Sequence, residues 1–147
     1  MLTYNWLRWS AALSLPADNS NRIIIVDETG KANSVTVNSL TTNKMKVGDG
    51  TSPPSPNDYD LQSVWAETPP LPFSLSNPTP ESWVLQVTGR FTPQTDKILA
   101  EIGIFVKGGF LPRWWMIVRD VLERPIPVPA GGSATIRYSL KSSVTGE

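Results

Sequence analysis

A chain of 147 residues is long enough for one packed core and too short for two ordinary domains, and its 13 Lys and Arg balance 13 Asp and Glu. No net field therefore draws it onto nucleic acid or an anionic membrane. Neither His nor Cys is present, which removes disulfides, the usual zinc, copper and non-haem iron ligand sets, and the Ser-His and Cys-His nucleophile pairs.

In chain order, Met1 to Ala17 makes a poor secretion signal, because Asn5, Arg8 and Ser10 break its apolar run. No window approaches the ~20 apolar residues of a membrane-spanning helix, so a soluble protein made in the cytoplasm is expected. Leu2, Trp6, Trp9 and Leu13 fall on one helical face, which predicts a short amphipathic helix over about Thr3 to Leu15, ended by Pro16. A helix this short needs its apolar stripe covered. Residues 1–20 are thus read as an N-terminal helix or arm and 21–147 as the β domain.

From Arg22 the texture changes to short β-branched runs: Ile23 to Val26, Ser34 to Val37 and Lys44 to Val47. Glu28-Thr-Gly-Lys31 reads as a hairpin turn with Gly30 at positive φ. Gly48 to Asn57, with three prolines and two glycines, can only be a loop. Leu61 to Thr68 is a candidate strand, and Pro69 to Pro80 is a second proline-rich loop. Both loops are expected to order only on assembly, since prolines stiffen them but supply few internal hydrogen bonds.

Trp83, Leu85, Val87 and Phe91 alternate with polar residues, as in a half-buried strand, and Gly89 within it marks a bulge or a close backbone approach. Ile98, Ala100, Ile102 and Ile104 form the next strand. Trp114 to Glu123 is largely apolar on both parities, a pattern expected of a strand buried on both faces or covered by a partner. Ser133 to Lys141 alternates cleanly and should bury Ile136 and Tyr138. Seven or eight short strands and one helix predict an all-β fold, a β-sandwich with a short N-terminal amphipathic helix.

Chemistry-bearing residues are few. Gly48-Asp-Gly-Thr51 lacks the Lys of a phosphate loop and reads as a strand exit. Asp49, Asn57, Asp58 and Asp60 offer oxygen ligands for Ca²⁺, but their spacing matches no EF-hand and turn capping is the better reading. Glu101 is the carboxylate closest to the core. Paired with Glu123 or Glu81 it would make a glycosidase dyad, whereas an ion pair with Arg90 or Arg113 is the more economical assignment. Adjacent Trp114 and Trp115 point to opposite faces of a regular strand, so one indole lies outside any single core. No catalytic residue, cofactor or metal ligand is assigned, and no enzymatic activity is expected.

Four stretches occur in a familiar order: Tyr4-Asn-Trp-Leu-Arg8, the block from Met45 through Gly48-Asp-Gly-Thr-Ser-Pro-Pro-Ser-Pro to Asp58, Glu101-Ile-Gly-Ile-Phe105, and Pro129-Ala-Gly-Gly-Ser-Ala-Thr-Ile-Arg-Tyr138. Together they resemble a family of small tail-associated virion proteins of tailed bacterial and archaeal viruses. The chain departs from that pattern in an extra hairpin, Arg22 to Leu40, and in the bulk of Trp114-Trp115. The resemblance implies a virion protein of the tail tip, baseplate or tail-fibre attachment region that works by assembly. A capsid decoration protein and a carbohydrate- or host-receptor-binding module are the alternatives.

The implied partners are other copies of the chain and neighbouring virion proteins, with a host-surface glycan as a further candidate and neither nucleic acid nor membrane. Trp6, Trp9, Leu13, Trp114 and Trp115 are the candidate subunit-interface residues. Gly48, Asp49, Gly50, Pro53, Pro54 and Pro56 form the candidate ordered loop.

Overall fold

The computed structural model describes residues 1–13, 22–36, 40–72, 75–79, 82–108 and 111–143. The single helix among them, α1 (Tyr4–Leu13), starts one residue later than the hydrophobic periodicity suggests, and Ser14 and Leu15 of the expected span lie outside the described residues. The strands are β1 (Arg22–Val26), β2 (Ala32–Thr36), β3 (Leu40–Gly48), β4 (Val64–Glu67), β5 (Leu71–Pro72), β6 (Leu75–Thr79), β7 (Ser82–Phe91), β8 (Lys97–Gly108), β9 (Leu111–Val128) and β10 (Ala134–Ser143). No helix among the described residues is long and apolar enough to cross a membrane.

These strands build an all-β fold. A five-stranded sheet runs β4-β3-β8-β9 with β5 also on β3, a three-stranded sheet runs β10-β7-β6, and β1 and β2 form a hairpin. Every pairing is antiparallel. Met45, Val47, Ile102, Ile104 and Val106 of the large sheet share one core with Leu85, Val87 and Phe91 of the small one, so the two sheets face each other across it, as period-two patterning requires.

Three expectations change in detail. Pro69 to Pro80 is not all loop, because β5 and β6 lie within it. Pro78 is tolerated in β6 because β6 is the edge of its sheet and the register slips there, between Ser76 and Thr79. In β10, Ile136 and Tyr138 do face the core but are only half-buried, since β10 is the opposite edge. Gly89 marks a close approach and not a bulge: the β7–β10 register runs through it unbroken, and a Cβ there would lie 2.9 Å from Met45 Sδ and 2.9 Å from the Phe91 ring.

Of the N-terminal segment, the described residues 1–13 lie against the β structure. Leu2 bridges to Val118, the Thr3 N–H donates to the Ile117 carbonyl (3.0 Å) and the Arg119 N–H donates to Met1 (3.0 Å), so the chain starts as a short extra strand along the β9 edge. Asn5 then does for β1 what a neighbouring strand would. Its amide accepts from the Val26 N–H (2.8 Å) and donates to the Val26 carbonyl (2.8 Å), and also reaches Met116 O on β9. Trp6 enters the main core.

The β1–β2 turn has Gly30 at φ 84°, as its sequence predicts. The Asp27 carboxylate accepts from the Thr29 N–H (2.9 Å), the Lys31 N–H (3.1 Å), Asn33 Nδ2 (2.7 Å) and the Thr29 hydroxyl. Burial works to raise its pKa, but the hydrogen bonds from Thr29, Lys31 and Asn33 outweigh it and bring it down to about 2. An acid depressed in the folded state contributes stability that is complete above its unfolded value, 3.8, and lost as pH falls through about 2. Melting temperature should therefore drop between about pH 4 and pH 2, and the drop should be shallower in Asp27→Asn; equal slopes in parent and variant would contradict the assignment.

Gly89→Ala should cost about 1–3 kcal/mol in urea denaturation, because the added methyl pushes on Met45 and on the Phe91 ring in a filled core. An unchanged midpoint would mean that the sheets are not this close.

Candidate functional site

Lys44 pairs with Phe105, Lys46 with Gly103 and Gly48 with Glu101 across β3 and β8, so these residues share the face of the large sheet that points away from the core. The proline-rich segment between β3 and β4 folds across this face and covers it. Leu61 of that segment packs on Phe105 and Met116, with Trp114 at the margin, making a second small apolar cluster.

At its centre is Glu101, 0 % exposed. Its Oε1 accepts from the Ser63 N–H (2.7 Å), and its Oε2 from the Gln62 N–H (3.1 Å) and from Arg119 Nε (3.1 Å) and Nη2 (2.8 Å). Arg119, 2 % exposed, also donates to Asp58 Oδ2 (3.1 Å) and the Ser52 carbonyl (3.1 Å). Asp58 Oδ2 also accepts from the Ser55 N–H (2.8 Å). The loop can approach this closely only because residues 48 and 50 are glycine. A Cβ on Gly48 would lie 2.2 Å from Ser63 O and 2.5 Å from Glu101 Oε1, and one on Gly50 would lie 2.6 Å from Gln62 Cβ.

Beside this pair the two lysines are buried head-in. Lys46 Nζ pairs with Glu28 (2.8 Å) and Asp60 (3.0 Å) and sits 4.5 Å from the Phe105 ring centroid. Burial alone would lower its pKa, but Glu28 and Asp60 outweigh that and raise it. Lys44 Nζ lies 3.4 Å from both Glu28 and Glu67 and 4.5 Å above the Trp114 ring. A polar link joins the large sheet to the small one: Asp120 of β9 accepts from the Tyr138 hydroxyl of β10 and also from the Met1 amino group. Burial and the neighbouring Asp120 carboxylate push the Tyr138 pKa up. Asp120 is lowered, because these hydrogen bonds overcome the effect of its burial.

The structure distributes the sequence candidates unevenly. Trp6 and Trp115, expected at a subunit contact, lie in the chain's own core at 1 % exposure each. Trp114 does face the other way, half-buried between Lys44 and Lys107. The side chains of Trp9 and Leu13 lie outside the described residues. Gly48 ends β3, and Asp49, Gly50, Pro53, Pro54 and Pro56 belong to the loop that follows it, which Glu101 and Arg119 tie to the sheet and whose Pro56 O accepts the Tyr4 N–H (2.8 Å).

Glu101 does pair with an arginine, but with Arg119 and not with Arg90 on the other sheet or with exposed Arg113. Glu123 is exposed farther along β9, and Glu81 lies outside the described residues. Asp58 and Asp60 turn to Arg119 and Lys46 and do not converge on a shared ion position. Arg119 is not among the sequence candidates, although an arginine beside Asp120 in the otherwise apolar stretch Trp115 to Val121 signals a charge in need of a partner. No family model, curated protein or solved structure matches the chain.

Glu101→Ala should cost about 3–5 kcal/mol, the penalty for stranding a buried guanidinium, and should expose the segment from Asp49 to Ser63 to protease. Urea unfolding with limited proteolysis reads both effects. A variant with parental stability and an intact loop would show that the pair does not hold the segment down.

Proposed function

We propose that the chain is a non-enzymatic structural protein that assembles through protein–protein contacts, of the tail-associated virion kind its motifs resemble, working in the tail tip, baseplate or fibre-attachment region. The supporting observation is that two of the four resemblance stretches act as one scaffold: the Glu of Glu101-Ile-Gly-Ile-Phe105 is the anchor on which the Gly48-Asp-Gly-Thr loop closes. The charged groups of this scaffold are consumed by one another. Residue types held for that purpose fit a rigid building block better than a reaction centre.

With Trp6 and Trp115 inside, the contact surface falls to the large side chains that remain outside. Tyr4 and Leu7 of α1, Ile24 of β1 (59 % exposed) and Tyr59 of the loop are all exposed. They belong to elements tied to one another: Arg8 donates to Ile24 O, and the Tyr4 N–H donates to Pro56 O. Exposed apolar surface of this kind fits a partner. Light scattering after size exclusion should find a closed oligomer of defined mass. Ile24→Asp combined with Tyr59→Ser should lower that mass while leaving the β circular dichroism unchanged. A parent that stays monomeric at every concentration up to about 100 µM would count against self-assembly.

A further inference from the structure

β4 pairs with β3 through Lys46–Glu67 and Val47–Ala66, and then the register slips so that Gly48 faces Val64. Trp65 is the extra residue, and a bulge re-aims the side chain it carries. The indole packs against the main core from its margin. There its N–H donates to the Ile98 carbonyl (2.9 Å), and its ring meets Phe91 of β7 nearly edge-on, with centroids 6.1 Å apart and planes at 74°. Two anchors therefore set the orientation of a tryptophan that is only partly buried.

Between Trp65 and the β7–β8 connection lies an open cleft of about 470 Å³. Trp65 and Phe91 line it along with Glu67, Arg90, Gln94 and Lys97. Glu67, Arg90 and Gln94 are exposed and Lys97 is partly so. The connection is braced from the β9–β10 turn: the Gly131 N–H donates to Pro93 O (2.9 Å), the Ala130 N–H donates to Asp96 Oδ1 (2.9 Å), and the Thr92 and Ser133 hydroxyls are 2.9 Å apart. Of these residues Glu67 alone is shared with the cluster beside Glu101, through its contact with Lys44 Nζ (3.4 Å).

We propose that this cleft is a binding site for a neutral pyranose sugar. A fixed aromatic ring offers the apolar face of a sugar a large contact area at low entropy cost. The carboxylate, amide, guanidinium and ammonium around it supply the mixed acceptors and donors that neighbouring hydroxyls need. The lining carries both signs of charge, Glu67 beside Arg90 and Lys97, so that donors and acceptors are both within reach of a hydroxyl-rich ligand. The volume falls within the range of small-molecule sites, roughly 300–1,000 Å³. Because the cleft is open, each site binds weakly, on the order of millimolar, and several copies in one assembly would multiply the effect.

The test is titration of the whole chain with methyl β-D-glucopyranoside, methyl β-D-galactopyranoside and lactose, followed by amide and indole nuclear magnetic resonance shifts. At least one of these probes should give saturable shifts at the Trp65 indole and the Gln94 and Thr95 amides. Gln94→Ala, at an exposed position whose loss leaves the core untouched, should weaken binding about five- to tenfold, as should Trp65→Phe. Absence of a saturable Trp65 shift with all three sugars at about 50 mM overturns the proposal. So does unchanged affinity in both variants, or binding that maps to other tryptophans.

Discussion

Removing the Glu101 carboxylate and the Arg119 guanidinium from water costs several kcal/mol per ion, and their mutual attraction offsets this only if the remaining lone pairs and protons also find partners. Here those partners come from one segment. The N–H groups of Gln62 and Ser63, the Ser52 carbonyl and the Asp58 carboxylate all belong to the loop between β3 and β4. The dependence runs both ways. Without the loop the pair would be a buried charge with unmet hydrogen bonds, and without the pair a segment rich in proline would have little to hold it against the sheet.

Covering the outer face has a second consequence, since it encloses whatever else β3 places there. Lys44 and Lys46 alternate with Met45 and Val47, so the strand period that sends Met45 and Val47 into the main core sends both ammonium groups under the loop. Partners meet them there: Glu28 reaches over from the β1–β2 turn, Asp60 and Glu67 close from the loop and β4, and the Phe105 and Trp114 rings present their faces. The β1–β2 hairpin is thus tied into the fold by the charge it brings. The Glu28 N–H also donates to the Trp114 carbonyl (2.9 Å), a further tie from this turn to β9.

Much of the fold was legible because one strand face is core and the other wet. That holds for β7 and β10, where alternation assigns Val87 and Tyr138 to the inner side, and for the turn at Gly30. Legibility fails where both faces are covered. In β8 the alternation places Glu101 opposite the core residues correctly, but alternation alone equates that face with water, and nothing local says that a loop some forty residues earlier lies over it. The same blindness hid Arg119. It also made Trp115 and Trp6 candidates for a partner's surface, when the other tryptophan of the adjacent pair has its own cover of lysines and loop. Trp65 was missed for a different reason: the bulge that turns it is a register slip against β3, a property of the pair of strands and not of either sequence.

The strand order separates the two surfaces argued to be functional. α1 and the residues before it line the β9 edge of the large sheet, whereas Trp65 stands on β4 at the other edge. Contacts made through Tyr4 and Ile24 therefore leave the Trp65 cleft open, and the buried Glu101–Arg119 pair lies between them as a rigid spacer with no exposed chemistry of its own. In such an arrangement the weakness of an open, one-tryptophan site is no defect. Copies held in a fixed array would convert several weak contacts into one strong one without adding a contact to any of them, and a subunit braced internally by the Glu101–Arg119 pair would keep the spacing of such an array constant.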